Sequence, residues 1–158
     1  NIYSFELTQT YFKLMQRTLK LNKSKRIIPI NKGLGAKEMT MRINVCGDGS
    51  SIITHCISDN VEDVKIITLD SFINKNKIEV GFIKVDIEGA EMDFLKGAKE
   101  TICTQKPTLL ISLYHLGKDY FQIKPLIESW NLGYTFKIHR DPNGYLTLGT
   151  ALFCEVLE

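Results

Sequence analysis

The sequence predicts an α/β fold on a mostly parallel sheet, with an antiparallel hairpin at its C-terminal end. Three observations carry that expectation. Short apolar, β-branched runs alternate with segments of helical periodicity, the pattern of crossover connections between parallel strands. The run Phe82-Ile83-Lys84-Val85 stops abruptly at Asp86-Ile87-Glu88-Gly89-Ala90-Glu91, three carboxylates around one glycine, and a helix-forming segment follows at once. Open α/β sheets present polar groups to ligands in this way, at the carboxyl ends of their strands. The last two strand-like runs, residues 134–139 and 151–157, leave no room for a crossover helix and therefore pair antiparallel.

Taken in order, residues 2–5 form a short strand that ends at Glu6. Thr8 or Thr10 caps a helix whose Phe12, Met15 and Leu19 share one face, and Asn22 closes it. Residues 26–31 are strand-like, with Pro29 marking an edge or an irregularity. Residues 39–45 and 52–57 flank Gly47-Asp48-Gly49-Ser50 as a hairpin. Residues 64–69 form a strand, and Asp70-Ser71 opens a short helix. After the strand at 82–85, residues 90–103 read as one helix with Phe94, Leu95, Ala98 and Ile102 facing inward. Gly97 costs that helix about 1 kcal/mol relative to alanine, which points to a close helix–strand contact. Pro107 precedes a buried strand at 108–114, and residues 120–130 form a helix that Pro125 kinks or delays. Asp141-Pro142-Asn143-Gly144 turns the terminal hairpin. Gly33-Leu34-Gly35 and Gly47-Asp48-Gly49 read as turns, since neither completes a phosphate-binding loop.

The 158 residues amount to one domain, with 44% hydrophobic and 24% charged residues. A net charge of +2 provides no electrostatic footprint for nucleic acid. Lys20, Lys23, Lys25 and Arg26 read as a solvated helix end and loop. The apolar runs are far too short to span a bilayer. Cys46, Cys56, Cys103 and Cys154 form no C-x-x-C pair and fit reduced thiols of a cytoplasmic protein. Asn1 opens straight into a strand, which suggests a segment of a longer protein.

Four positions stand out chemically. Glu6 ends the first strand just before a helix. It is either an acid for ribose hydroxyls, a bond worth roughly 1.5–3 kcal/mol, or a charge at a helix N-terminus. Asp86 leaves a buried strand at the ligand edge of the sheet, with Glu88 beside it as a second candidate or a solvated turn residue. Glu91 falls in the first helical turn, where a carboxylate offsets the macrodipole. His115 follows the strand at 108–114 on the same edge as Asp86. It is either a proton acceptor for a substrate hydroxyl or a structural histidine. Three acids in six positions, with a histidine, could also hold a divalent metal, although the spacing does not demand one. Tyr114, Tyr120 and Phe121 line an acceptor pocket or belong to the core, and Lys32-Gly33 could border an adenine. His55 and His139 fall inside strand patterns and carry no assignment.

Residues 83–91, followed by Leu95-Lys96-Gly97-Ala98, resemble the signature of FkbM-type methyltransferases. So do Thr68-Leu69-Asp70-Ser71-Phe72, Tyr3-Ser4-Phe5-Glu6 and Asn31-Lys32-Gly33-Leu34-Gly35. The likeness covers nearly the whole chain. It implies a Rossmann-like sheet and S-adenosylmethionine-dependent O-methylation of a sugar or secondary-metabolite hydroxyl, with a small-molecule or glycan acceptor. It also implies Glu6, Leu7, Lys32, Gly33 and Asp86 as cofactor contacts, and Asp86, His115 and Glu88 as catalytic residues, with no metal. The family has a first strand and a glycine-rich loop upstream of the Glu6 strand, and these residues contain neither. The expectation is therefore an N-terminally truncated domain, residues 1–158, that binds cofactor poorly by itself. The rival expectations are a metal-assisted methyltransferase with Asp86, Glu88 and His115 as ligands, a non-catalytic binding module and, with an acid after a strand, a nicotinamide-dependent oxidoreductase.

Overall fold

A computed structural model describes residues 1–22, 25–45, 60–140 and 149–157. In chain order the elements are β1 (Ile2–Phe5), α1 (Gln9–Leu21), β2 (Ile27–Ile30), β3 (Gly33–Leu34), β4 (Met39–Asn44), β5 (Val61–Ile67), α2 (Leu69–Asn76), β6 (Phe82–Val85), α3 (Glu91–Gly97), α4 (Lys99–Gln105), β7 (Thr108–Ser112), α5 (Gly117–Glu128), β8 (Tyr134–His139) and β9 (Ala151–Val156). The turns expected at 47–50 and 141–144, the strand at 52–57, and Lys23, Cys46, Cys56 and His55 lie outside the described residues.

The strands form three groups: β1-β2, β3-β5-β4 and β6-β7-β9-β8. Parallel pairing joins β1 to β2, β3 to β5 and β6 to β7. Antiparallel pairing joins β4 to β5, β7 to β9 and β8 to β9. Among the described residues the two kinds are equal in number, so the mostly parallel sheet expected from the sequence is in fact a mixed one. Helical crossovers connect β1 to β2 and β6 to β7. The terminal hairpin pairs as expected, from Tyr134 opposite Val156 to His139 opposite Ala151.

Several boundaries differ from the periodicity, each for a tertiary or local reason. The helix expected at 90–103 is two helices that break at Ala98. Asp70, projecting from the first turn of α2, accepts the Glu100 and Thr101 N–H groups at 3.1 and 2.8 Å and so caps a new helix there. Gly33-Leu34 is a short strand paired with Ile66 and Ile67, where the sequence suggested a turn. The expected strand at 64–69 begins earlier, at Val61, and Thr68 caps α2 by accepting the Ser71 N–H at 3.0 Å. The strand ahead of His115 ends at Ser112, and α5 starts at Gly117, with Pro125 accommodated inside it.

The main core lies between the four-stranded sheet and the helices. Leu95, Ala98, Ile102, Leu109, Ile111, Ile123 and Leu152 are all fully buried. Burying each large aliphatic side chain contributes about 1.5–3 kcal/mol. Cys154 packs there as a small apolar group, and burial pushes its thiol up to about 12. The β1–β2 pair attaches through aromatic contacts: Tyr3 and Phe5 meet Phe72 of α2 edge to face at 5.6 and 5.1 Å. Glu62 of β5 accepts the Gln9 N–H at the start of α1, at 2.6 Å. The outer side of β6 is exposed at Phe82 (56%), as is Ile2 of β1 (60%). Among the described residues β1 pairs only with β2 and β6 only with β7.

The expected close approach at Gly97 is present. A Cβ at that position would overlap the Gly35 carbonyl oxygen and crowd Thr68, so backbone would have to move. Gly97→Ala is therefore expected to destabilise the chain by about 1–3 kcal/mol despite alanine's better helix propensity. Urea unfolding of the two forms measures the difference, and equal midpoints would refute the contact's importance.

Candidate active site

The carboxyl ends of β6 and β7 lie side by side because the strands are parallel neighbours, with Val85 opposite Ile111. Beyond Val85 the chain reverses direction within a few residues. Glu88 has φ 56° and Gly89 φ 97°, both in the left-handed region. Glycine adopts that region freely, whereas Glu88 does so at a cost of about 1–3 kcal/mol. The turn closes with the Ala90 N–H donating to the Ile87 carbonyl at 3.3 Å, and α3 begins at once.

Asp86 stands at the head of this turn. Its Oδ1 accepts hydrogen bonds from Ser112 Oγ at 2.9 Å and Tyr114 OH at 3.0 Å, and its Oδ2 accepts one from Lys84 Nζ at 3.1 Å. Burial pushes this carboxyl up. The donors Lys84, Ser112 and Tyr114 together outweigh that effect and hold it below the ordinary aspartate range. Tyr114 shows the reciprocal effect: burial, then its bond to Asp86, push the phenol up to about 12. Asp86 is thus a stable anion and a poor proton acceptor.

Glu91 differs most from its sequence reading. Its carboxylate is fully buried, not solvated at a helix end. Oε1 accepts the Ile87 N–H at 3.0 Å and lies 2.8 Å from His115 Nδ1. A carboxylate oxygen at that distance suits a ring N–H at Nδ1 as its donor. Nε2 lies 3.5 Å from Asp86 Oδ1 and 3.6 Å from Glu88 Oε2. The His115 side chain is 8% exposed, and its ring lies against Tyr114 with centroids 4.1 Å apart. Asp86, Glu88 and His115 therefore meet at one point, as their positions after β6 and β7 suggested.

Asp119, in the first turn of α5, escaped sequence reasoning altogether. It is fully buried, and neither carboxylate oxygen has a hydrogen-bond partner among the described residues. Burial raises its carboxyl most and the Glu91 charge raises it further, with Lys118, His115 and the Leu116 backbone partly opposing. Glu91 Oε2 and His115 Nε2 are likewise buried without a partner among the described residues. No three His, Cys, Asp or Glu side chains of the described residues converge as metal ligands do.

Glu6 is engaged locally at the end of β1. Its Oε1 accepts from the Thr8 N–H at 2.8 Å and from Thr8 Oγ1 at 2.9 Å, which leaves Oε2 without a partner among the described residues. Asn31 Nδ2 donates to the carbonyls of Glu6 at 3.0 Å and Leu7 at 3.2 Å, tying the end of β1 to the segment after β2. The Lys32 N–H bonds to the Ile30 carbonyl at 3.0 Å. Gly33 is buried where a Cβ would press on the side chains of Leu7 and Ile66. Leu7, Lys32 and Gly33 thus sit next to one another around Glu6. Tyr120 and Phe121 are exposed and meet edge to face at 5.3 Å, so neither is core. No helix among the described residues is long and apolar enough to cross a membrane.

The sequence profile described as the methyltransferase FkbM domain matches residues 2–138. Among solved structures, the crystal structure of methyltransferase FkbM from Methylobacillus flagellatus KT is 24% identical, with a TM-score of 0.73. The match covers 98% of this chain and 36% of that one, so the fold is shared while the chain spans a little over a third of that protein's length. No curated protein matches the sequence.

The donors on Asp86 carry a testable consequence. Its folded value lies below the unfolded one, so its stabilisation is complete above the ordinary aspartate range and is lost as pH falls through the folded value. Tyr114→Phe removes one donor. The Asp86 carboxyl should then titrate at higher pH, and the acid-side loss of stability should shrink. A carbon-13 titration of Asp86 with urea melts across pH measures both; an unmoved Asp86 would count against the bond.

Proposed function

Because the chain belongs to the FkbM methyltransferase family, we propose that it transfers a methyl group from S-adenosylmethionine to a hydroxyl of a sugar or secondary metabolite, with His115 as the proton acceptor. The observation that carries this is the pairing of Glu91 with His115 Nδ1, which puts the other ring nitrogen, Nε2, beside Asp86 and Glu88 at the carboxyl end of the sheet. S-adenosylmethionine, when bound, supplies an electrophilic methyl group on a sulfonium that is already a good leaving group.

The chain's own residues have the remaining tasks. Glu6 keeps Oε2 for ribose hydroxyls while Oε1 is spent on the Thr8 turn. Leu7, Lys32 and Gly33 border the adenine. Gly33 offers backbone there, since its Cβ side is already filled by Leu7 and Ile66. His115 Nε2 accepts the proton of the attacking hydroxyl. The imidazolium so formed lies among Glu91, Asp86 and Glu88, three carboxylates at 2.8, 3.5 and 3.6 Å, which stabilise its charge. Asp86, held ionised by three donors, serves as that counter-charge and faces the methionine end of the donor. Alignment is the larger lever, worth about 7–11 kcal/mol, and proton acceptance adds about 10²–10⁴-fold.

A further parallel strand with a glycine-rich loop belongs between β1 and β6. Support comes from β1 and β6 each pairing with one neighbour only among the described residues, and from the exposure of Ile2 and Phe82. Donor binding by residues 1–158 alone is accordingly weak.

S-adenosylhomocysteine, and not NAD, is expected to displace labelled S-adenosylmethionine from the chain in equilibrium dialysis; displacement by NAD would sink the assignment. Glu6→Gln should weaken donor binding about 10- to 100-fold, in line with a lost charge-assisted bond. His115→Ala should leave donor affinity intact and lower methyl transfer about 10²–10⁴-fold, measured with labelled donor and a panel of hydroxyl acceptors. Undiminished transfer would remove His115 from the mechanism.

A further inference from the structure

Residues 7–37 hold eight of the chain's 20 Lys and Arg residues and none of its 18 Asp and Glu residues. The rest of the chain is net acidic, so the small overall charge of +2 conceals a one-sided distribution. Helix α1 lies inside this stretch and carries three of the cations, Lys13, Arg17 and Lys20. All three are exposed, and no ion pair holds any of them among the described residues. Glu62 meets the helix at its start, where it accepts the Gln9 N–H. The same helix buries no residue completely. Tyr11, Phe12, Met15 and Leu19 are half-buried and form its inward face. Leu14 and Leu21 are instead 47% and 87% exposed. With about 3.6 residues per turn, Leu14, Arg17 and Leu21 form one stripe, and Lys13 and Lys20 flank Arg17 on its other side. The outward face of α1 thus sets two leucines beside three cations. A solvated helix face ordinarily mixes both signs of charge and keeps its leucines inward.

We propose that the outward face of α1 docks the protein on the surface of an anionic lipid bilayer, with the helix lying in the plane of the headgroups. The charge of the face calls for a negative partner, and the leucines decide which one. A nucleic-acid backbone would take the cations and offer Leu14 and Leu21 nothing. An acidic protein would need an apolar hollow shaped for each leucine. An anionic bilayer satisfies both without any shape requirement: phosphate and carboxylate headgroups meet Lys13, Arg17 and Lys20, and the acyl boundary just beneath them receives the leucines. The long stems of the basic side chains reach from helix level up to the headgroups. This is adsorption, and it needs no segment able to cross the membrane. Three cations and two leucines make it reversible and sensitive to salt.

The proposal does not rest on the methyl-transfer assignment. Its test is sedimentation of the chain with vesicles of phosphatidylcholine, either pure or with about 30% phosphatidylserine. The chain is expected to bind the anionic vesicles, to ignore the neutral ones, and to be released as salt rises from about 0.1 to about 0.5 M. Lys13→Gln with Lys20→Gln should weaken binding at least about 10-fold, and Leu14→Ser with Leu21→Ser should do the same. Lys65 and Lys75, exposed on β5 and α2, provide the control. Changing both of these to Gln removes the same charge and should leave binding unaltered. Equal loss from the two lysine pairs, undiminished binding by the leucine variant, or no preference for anionic vesicles overturns the proposal. Binding of an RNA oligonucleotide without binding of vesicles overturns it in favour of a nucleic-acid surface. Far-UV circular dichroism checks each variant's fold. Should one misfold, the unaltered chain's choice between anionic and neutral vesicles decides by itself.

Discussion

A carboxylate buried with no exposed surface must find donors inside the protein, and Glu91 finds two, the Ile87 N–H and His115 Nδ1. One donor belongs to the turn after β6 and the other to the connection after β7. Separating those two segments would strand a charge in the interior, at a cost on the order of 3–5 kcal/mol. The relative placement of the two strand ends therefore follows from electrostatics as much as from the β6–β7 ladder. The left-handed conformation of Glu88 and Gly89 fits the same constraint, since the chain must reverse sharply for Glu91 to reach back to Ile87. Ser112 and Tyr114 complete the arrangement by donating to Asp86 across the strand boundary.

Charge within this cluster is sorted by donor supply. Asp86 has three donors and stays ionised, Glu91 has two, and Asp119 has none among the described residues. Three of the acids, Asp86, Glu88 and Glu91, come within 3.6 Å of the one imidazole. The second region, around Glu6, is organised differently. There the carboxylate spends one oxygen on its own turn, and Asn31 reaches across 24 and 25 positions to secure the carbonyls of Leu7 and Glu6. Its links to the rest of the chain are contacts of other residues: Phe72 beneath Tyr3 and Phe5, Leu7 against Ile66, and Glu62 at the start of α1.

Much of the scaffold was legible from local pattern. The strands at 2–5, 82–85 and 134–139 match the structure to the residue, because each is a short apolar or β-branched run bounded by turn formers. The inward face of α3 and α4 was visible in the spacing of Phe94, Leu95, Ala98 and Ile102, all buried. Gly97 announced a close contact, and the Gly35 carbonyl is that contact. The break between α3 and α4 was not legible, since the side chain that caps α4 belongs to Asp70, 30 positions before Glu100. The equal numbers of parallel and antiparallel pairings among the described residues escaped notice because β4 pairs with β5 across a long intervening segment.

Taken alone, the amino-acid order determined where the chain extends, where it coils, and that acids gather after one strand with a histidine after another. Those features depend on backbone preference and on apolar spacing over a few neighbouring residues, so they are written locally. Only the tertiary structure decided what each acid does. Glu91 had the marks of a solvated helix-end charge and Tyr114 those of a lining or core aromatic. Asp119 drew no reading, since the expected helix began one residue later, at Tyr120. Their burial and partners come from residues 24 to 28 positions away for Glu91 and Tyr114, and for Asp119 from helix packing. A side chain's protonation state follows its solvent exposure and its donors, and neither exists until distant segments come together.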